Sequence, residues 1–293
     1  SNLGITYTHE HVLARPAGDW ARGDTDLVLD DEERAAGELE AFRSVAGGTI
    51  VDATTAELGR DAEGLRRLAQ RTGVNIVAST GHVCEEYWRG ALSLPSERQL
   101  AERFISDLTR GFDGTEVRAG VIKVGSSLGG PTETERRLIR AGTAAQRATG
   151  APITTHTTAG TGAIEQVRAL EEAGADLSRV CVGHLDRRLV WSEHLAVAET
   201  GVFLGYDCIG KEQYQPDAER VRFILRLVDE GFGGRILLAG DMARRRYLRA
   251  WGGGPGYPYI AGEFADRLRA AGLDDTSVRR LLVDNPAGFL AWD

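Results

Sequence analysis

Eight short apolar runs punctuate the chain: Gly4–Val12, Thr49–Thr54, Asn75–Gly81, Ala119–Gly125, Ala151–Thr157, Arg179–Leu185, Gly201–Asp207 and Arg235–Gly240. Val, Ile, Leu and Thr fill them, and Gly, Asp or Pro bounds them, as expected of strands buried in a parallel sheet. Amphipathic stretches lie between: Glu32–Ala46, Asp61–Arg71, Ser96–Arg110, Thr132–Thr149, Gly162–Ala173, Trp191–Glu199 and Asp217–Glu230. Pro95-Ser96 and Pro131-Thr132 supply helix starts, and glycines at 73, 111, 150, 174, 201 and 231 supply stops. Two more helices are expected near Gly262–Ala271 and Thr276–Val283, with Asp284-Asn285-Pro286-Ala287 as a terminal cap.

Eight strand-then-helix alternations predict an α/β fold, a (β/α)₈ TIM barrel, as a single domain over residues 1–293. The competitor is a doubly wound open sheet. It is disfavoured because no Gly-x-Gly-x-x-Gly turn follows the first run.

Composition narrows the class. The hydrophobic share of 42% and charged share of 27% are ordinary for a globular protein. No run of eighteen apolar residues predicts a membrane span. A net charge of −8 argues against a nucleic-acid backbone binder. Three widely spaced cysteines, Cys84, Cys181 and Cys208, suggest structural thiols in a reducing, cytoplasmic setting rather than a disulfide framework. No secretory signal opens the sequence, and its start almost inside the first strand suggests that upstream residues have been removed.

Of 35 basic residues only Lys123 and Lys211 are lysine. In so arginine-rich a chain, a retained lysine suggests chemistry that arginine cannot perform, because arginine stays protonated. Lys123 sits inside the apolar run Val121-Ile122-Lys123-Val124-Gly125, where burial depresses an amine pKa. It could pair with a carboxylate, form a Schiff base, or react with carbon dioxide to give a carbamate able to bridge two cations.

Barrel enzymes place reacting groups at the carboxyl ends of their strands. The first run ends Thr8-His9-Glu10-His11, and residues two apart on a strand share a face, so His9 and His11 both face the axis. The fifth run carries His156 near its end and the sixth His184, and Asp241 follows the eighth, at successive intervals of one, one and two β/α units starting from Lys123. These residues are therefore expected at equivalent heights. Four histidines, a buried lysine and an aspartate in barrel register suit a borderline divalent metal, and the histidines favour the carbamate reading of Lys123. His82 is expected to end the third strand near the pocket, and His194 to lie on the surface of a helix.

In this order, the His-x-His, the Lys of Ile-Lys-Val, Thr-His-Thr, Gly-His and the final Asp closely resemble the phosphotriesterase family of the amidohydrolase superfamily, over essentially the whole chain. The resemblance implies two divalent ions, zinc before manganese, cobalt or iron. One is held by His9, His11 and Asp241, the other by His156 and His184, with CO₂-modified Lys123 bridging both. It further implies attack by a bridging hydroxide, with Asp241 as catalytic general acid–base, and a homodimer.

Substrate choice resides in loops. Lys211 follows the seventh strand, and Arg244 and Tyr247 follow the eighth, three apart as on one helical turn. They are expected to form an anion clamp, similar to the members of the family that open phosphorylated sugar lactones. Tyr87, Trp88 and Trp251 would instead line an apolar pocket for a neutral substrate. Cys208 after Asp207, where many lactonases of the family carry arginine nearby, disfavours a homoserine lactone. The favoured reading is a lactonase. Alternatives are a phosphotriester or phosphodiester hydrolase with the same metals, a Schiff-base aldolase or lyase using Lys123, and a metal-stabilised binding protein.

Overall fold

In the computed structural model, which describes residues 3–16, 21, 23–88 and 95–292, the eight apolar runs become eight strands. They are β1 (Ile5–Glu10), β2 (Gly47–Asp52), β3 (Asn75–Gly81), β4 (Val121–Ser126), β5 (Ile153–Thr157), β6 (Val180–Val182), β7 (Phe203–Tyr206) and β8 (Ile236–Leu238). Each pairs in parallel with the next, in the order β1 to β8. Helices alternate with the strands, so the architecture is a (β/α)₈ barrel. Glu10 joins its edges. Its carboxylate accepts from Gly240 N at 2.6 Å and Met242 N at 2.9 Å, while Asp241 N donates to His9 O at 3.0 Å.

Local signals set the helix ends. Ser96 and Thr132 cap Glu97–Thr109 and Glu133–Thr149, each through a reciprocal box with Gln99 or Glu135. Gly73 and Gly150 end their helices in the left-handed conformation that glycine adopts without strain. The helices bury Leu39, Phe42, Leu100, Phe104, Leu138 and Ile139 against the barrel. Each such side chain contributes about 1.5–3 kcal/mol relative to exposure.

Three expectations require correction. Asp284-Asn285-Pro286-Ala287 does not cap the terminus, because the chain stays helical through Asn285–Leu290. The Asn285 amide instead donates to Gly233 O at 2.9 Å and Ile236 O at 2.8 Å, fastening this last helix to the start of β8. His194 is buried rather than superficial, held between Tyr206 Oη at 2.8 Å and Arg188 O at 2.9 Å. Strands β6 and β8 are only three residues long. They stop short because the chain turns sharply at the residues that end the predicted runs, with consequences for the site. No helix among the described residues is long and apolar enough to cross a membrane.

Candidate active site

The alternation of β1 sends His9 and His11 to the barrel axis, and both are buried. Register places Lys123 opposite Thr154 and puts His156 opposite Gly125. Lys123 therefore starts two residues lower than His156, not at the same height. Its long side chain makes up the difference, bringing Nζ to 2.9 Å from His9 Nε2 and 3.3 Å from Thr155 O. His184 and Asp241 lie beyond the ends of β6 and β8 rather than on them. Both take left-handed backbone conformations, with φ of 59° and 46°. Such conformations cost non-glycine residues about 1–3 kcal/mol each and are concentrated at functional sites. Gly183 permits the turn at His184: a Cβ there would come within 2.3 Å of Thr155 O.

Each histidine is held from behind, and the partner fixes its tautomer. The Asp207 carboxylate can only accept. His184 Nδ1 lies 2.7 Å from its Oδ1, and His9 Nδ1 lies 2.9 Å from its Oδ2. In the neutral imidazoles the carboxylate places hydrogen on both Nδ1 atoms, through a hydrogen bond at His184 and through proximity alone at His9, whose Nδ1 makes no aligned hydrogen bond, and both Nε2 atoms present lone pairs. Thr54 Oγ1 donates to Asp52 Oδ1 at 2.5 Å, so it accepts from His11 Nδ1 at 2.8 Å. Thr158 Oγ1 donates to Ser126 O at 3.0 Å and accepts from His156 Nε2 at 3.2 Å, leaving His156 Nδ1 with its lone pair.

The lone pairs converge. His184 Nε2 and His156 Nδ1 face each other at 3.0 Å, and neither has a proton to share. His11 Nε2 lies 3.3 Å and His9 Nε2 3.8 Å from Asp241 Oδ1. His9, His184 and Asp241 offer donor atoms that all lie within 4.8 Å of one another. Opposed imidazole lone pairs beside an ionised carboxylate repel one another unless a cation lies between them. The residues thus fit divalent metal, with the His9, His184 and Asp241 donors grouped and His11, His156 and Lys123 beside them.

Charge states agree. Burial, then the charge of Lys123, lowers the His9 pKa to about 3. Burial, then His184, holds His156 well below the ordinary imidazole range. Burial lowers the Lys123 amine to about 8, despite the opposing charge of Asp207. About a tenth of such an amine is neutral at pH 7 and able to react with CO₂. Asp207 and Asp241 stay ionised against the cost of burial, Asp207 through His184 and His9, Asp241 chiefly through the Lys211 ammonium.

A pocket opens above this floor, and the predicted clamp residues Lys211, Arg244 and Tyr247 all line it. Their arrangement differs from expectation. Lys211 is buried, with Nζ 2.6 Å from Asp241 Oδ2. Arg244 precedes the turn Arg245–Tyr247 in extended backbone instead of sharing it, and its Nη1 lies 2.6 Å from Asp24 Oδ2 and 3.3 Å from Asp26 Oδ2. Tyr247 Oη accepts from Gln213 Nε2 at 2.7 Å. Tyr87 lines the pocket, its ring 5.7 Å from that of His156. Trp88 and Trp251 do not: Trp88 Nε1 donates to Val83 O at 3.3 Å, and Trp251 stacks with Arg34 and Arg245. His82 also turns away, to Glu57 Oε2 at 2.9 Å. All three cysteines are buried free thiols.

Asp207, Glu10 and the Thr54–Asp52 pair have no role in the sequence reading. Asp207 carried a usable signal, an aspartate ending a barrel strand between two strands that end in metal-ligand candidates. Thr54 and Asp52 form an ordinary-looking pair near the end of β2, and only the folded register shows that they reach His11.

The sequence profile of the phosphotriesterase family matches residues 1–290. The phosphotriesterase homology protein of Escherichia coli strain K12 is 33% identical over 287 residues, covering 98% of this chain and 97% of that protein. Its crystal structure, complexed with phosphate in the active site, has a TM-score of 0.94 at 32% identity, covering 99% and 100% of the two chains. A lactonase from Listeria monocytogenes has a TM-score of 0.95 at 35% identity, covering 100% of this chain and 96% of that one. The N-acetyltaurine hydrolase of Mus musculus is 35% identical over 269 residues, 87% of this chain and 76% of that protein. The chain belongs to the phosphotriesterase family, and it is a hydrolase of that family.

Proposed function

We propose that the chain is a metal-dependent lactonase whose substrate is a phosphorylated sugar lactone. The observation that carries the metal reading is the set of four imidazole lone pairs, each fixed by a partner behind it, converging with Asp241 and Lys123. Two divalent ions bound there would lower the pKa of water toward neutrality and polarise the scissile carbonyl. Asp241, ionised at the pocket floor, would take the proton of the attacking water and return it to the leaving oxygen. Asp207 and Thr54 would keep the imidazoles aimed throughout. The lactonase from Listeria supports a carbonyl substrate, and the phosphate held by the Escherichia coli relative supports an anionic one.

A second reading is amide hydrolysis, favoured by relatives that are N-acetyltaurine hydrolases. The two readings use the same machinery and both place a negative group away from the reacting carbonyl. The test is a panel of phosphorylated and unphosphorylated lactones, N-acetyltaurine and a neutral phosphotriester, offered to metal-reconstituted protein in a pH-stat. Fastest turnover of a phosphorylated lactone is expected. Turnover of the triester alone, or of nothing, would overturn the proposal; turnover of N-acetyltaurine alone would select the second reading.

A further inference from the structure

Asp241 sits in a strained turn, with φ of 46°, yet its carboxylate is closely aimed, Oδ1 lying 3.3 Å from His11 Nε2 and 3.8 Å from His9 Nε2. A non-glycine residue keeps such a backbone conformation only when its surroundings over-determine it. Three successive amides supply that constraint. Gly240 N donates to Glu10 Oε1 at 2.6 Å, Asp241 N to His9 O at 3.0 Å, and Met242 N to Glu10 Oε2 at 2.9 Å. All three end on two adjacent residues of β1. The peptide planes on either side of the Asp241 Cα carry the amides of Asp241 and Met242, so holding both fixes φ and ψ there.

Strand alternation divides the work within β1. His9 and His11 face the axis, so Glu10 points away from it, into the seam between β1 and the end of β8. Its side chain is fully buried. A buried carboxylate is tolerated where its oxygens are hydrogen-bonded, and here one oxygen takes the amide before Asp241 and the other takes the amide after it. Position 240 is shaped for the approach: a Cβ there would come within 3.1 Å of Glu10 Oε1 and 2.7 Å of Met242 Cε. A grip on both flanks of one residue sets the direction of that residue's side chain, which joining two strands does not require.

We infer that Glu10 is a positioning residue for Asp241. By holding the amides of Gly240 and Met242, it keeps residue 241 in its left-handed turn and the Asp241 carboxylate on the imidazole cluster. The aim of Asp241 is a property of the chain itself; its consequence, tighter zinc binding, rests on the metal reading of the site.

Glu10→Gln tests this, because it keeps the shape of the side chain but replaces one acceptor by an NH₂ group that must face an amide N–H. Crystal structures of the metal-free wild type and variant are compared first. In the variant, residue 241 should leave the left-handed region and its Oδ1 should move by roughly 1 Å or more from His11 Nε2; an unmoved Asp241 would overturn the assignment. Zinc is then titrated against a chromogenic chelator with the full chain as wild type, Glu10→Gln, Asp241→Asn and the double variant. Glu10→Gln should weaken zinc binding about tenfold or more. In the Asp241→Asn background the same change should cost less than about twofold, because the group through which Glu10 acts is gone. Equal losses in both backgrounds, or none in either, would overturn the assignment. If the wild type binds no zinc, the metal reading fails, and the crystal comparison alone decides the role of Glu10. If Glu10→Gln does not fold, Glu10→Asp, which keeps both acceptors on a shorter stem, carries the same measurements. Failure of both to fold would show that Glu10 serves barrel closure instead of aim, and would equally overturn the assignment.

Discussion

Replacing Asp207 by Asn tests the claim that one carboxylate aims two imidazoles. The side chain accepts from His184 N at 2.9 Å and from His184 Nδ1 at 2.7 Å through Oδ1, while Oδ2 lies 2.9 Å from His9 Nδ1. Two donors from His184 hold the amide oxygen of an asparagine on the Oδ1 side. The amide NH₂ then faces His9 Nδ1, which must become an acceptor, so the proton moves to Nε2. That proton closes the lone pair that points toward Asp241 and Lys123. One donor of the metal set is lost without removing any ligand side chain. Loss of such outer partners costs about 10- to 100-fold in metal affinity, or about 1.4–2.7 kcal/mol. The assay is zinc competition against a chromogenic chelator, with thermal unfolding of the metal-free proteins as a fold control. A dissociation constant within twofold of wild type, in folded protein, would refute the tautomer argument.

Other consequences can be checked alongside. Asp241→Asn should stay folded and lose at least about two orders of magnitude in kcat, as expected for a general acid–base group; near-normal turnover would remove Asp241 from the proton path. Gly183→Ala places a methyl 2.3 Å from Thr155 O, so it should lower stability by about 1–3 kcal/mol and loosen His184; an unchanged melting temperature would contradict this. Chelators should abolish hydrolysis and borohydride should trap no substrate adduct on Lys123, whereas trapping would favour the Schiff-base alternative. Glu38, outside the pocket lining, has its pKa raised by burial against the pull of Ala250 and Tyr257 amides. A raised carboxyl pKa gives stability that is present below the unfolded value and lost as pH rises through the folded one. The destabilisation caused by Glu38→Gln, read from denaturant midpoints, should therefore be larger at pH 4.5 than at pH 7; a penalty that grows with pH would contradict the sign.

The barrel was legible because its strands are buried on both faces, and such strands write themselves as uninterrupted Val, Ile, Leu and Thr runs. The inward direction of His9 and His11 follows from strand alternation alone. What the runs conceal is where each strand stops. Val180–Val182 and Ile236–Leu238 end early because His184 and Asp241 adopt left-handed backbone conformations, and nothing in the one-dimensional pattern marks a non-glycine residue for that region. Pairing was equally hidden. Lys211 and Arg244 read as available cations, yet the fold sets Asp241, Asp24 and Asp26 against them. His194 misled because an exposed-looking helical pattern carries one polar residue inward to Tyr206.

The central claim is that four aimed imidazoles, Asp241 and Lys123 form a binuclear cation site. Its most direct test is zinc stoichiometry by elemental analysis, after the metal-free chain is equilibrated with zinc and bicarbonate and freed of excess by gel filtration. About two zinc ions per chain are predicted; a chain that retains none would contradict the account.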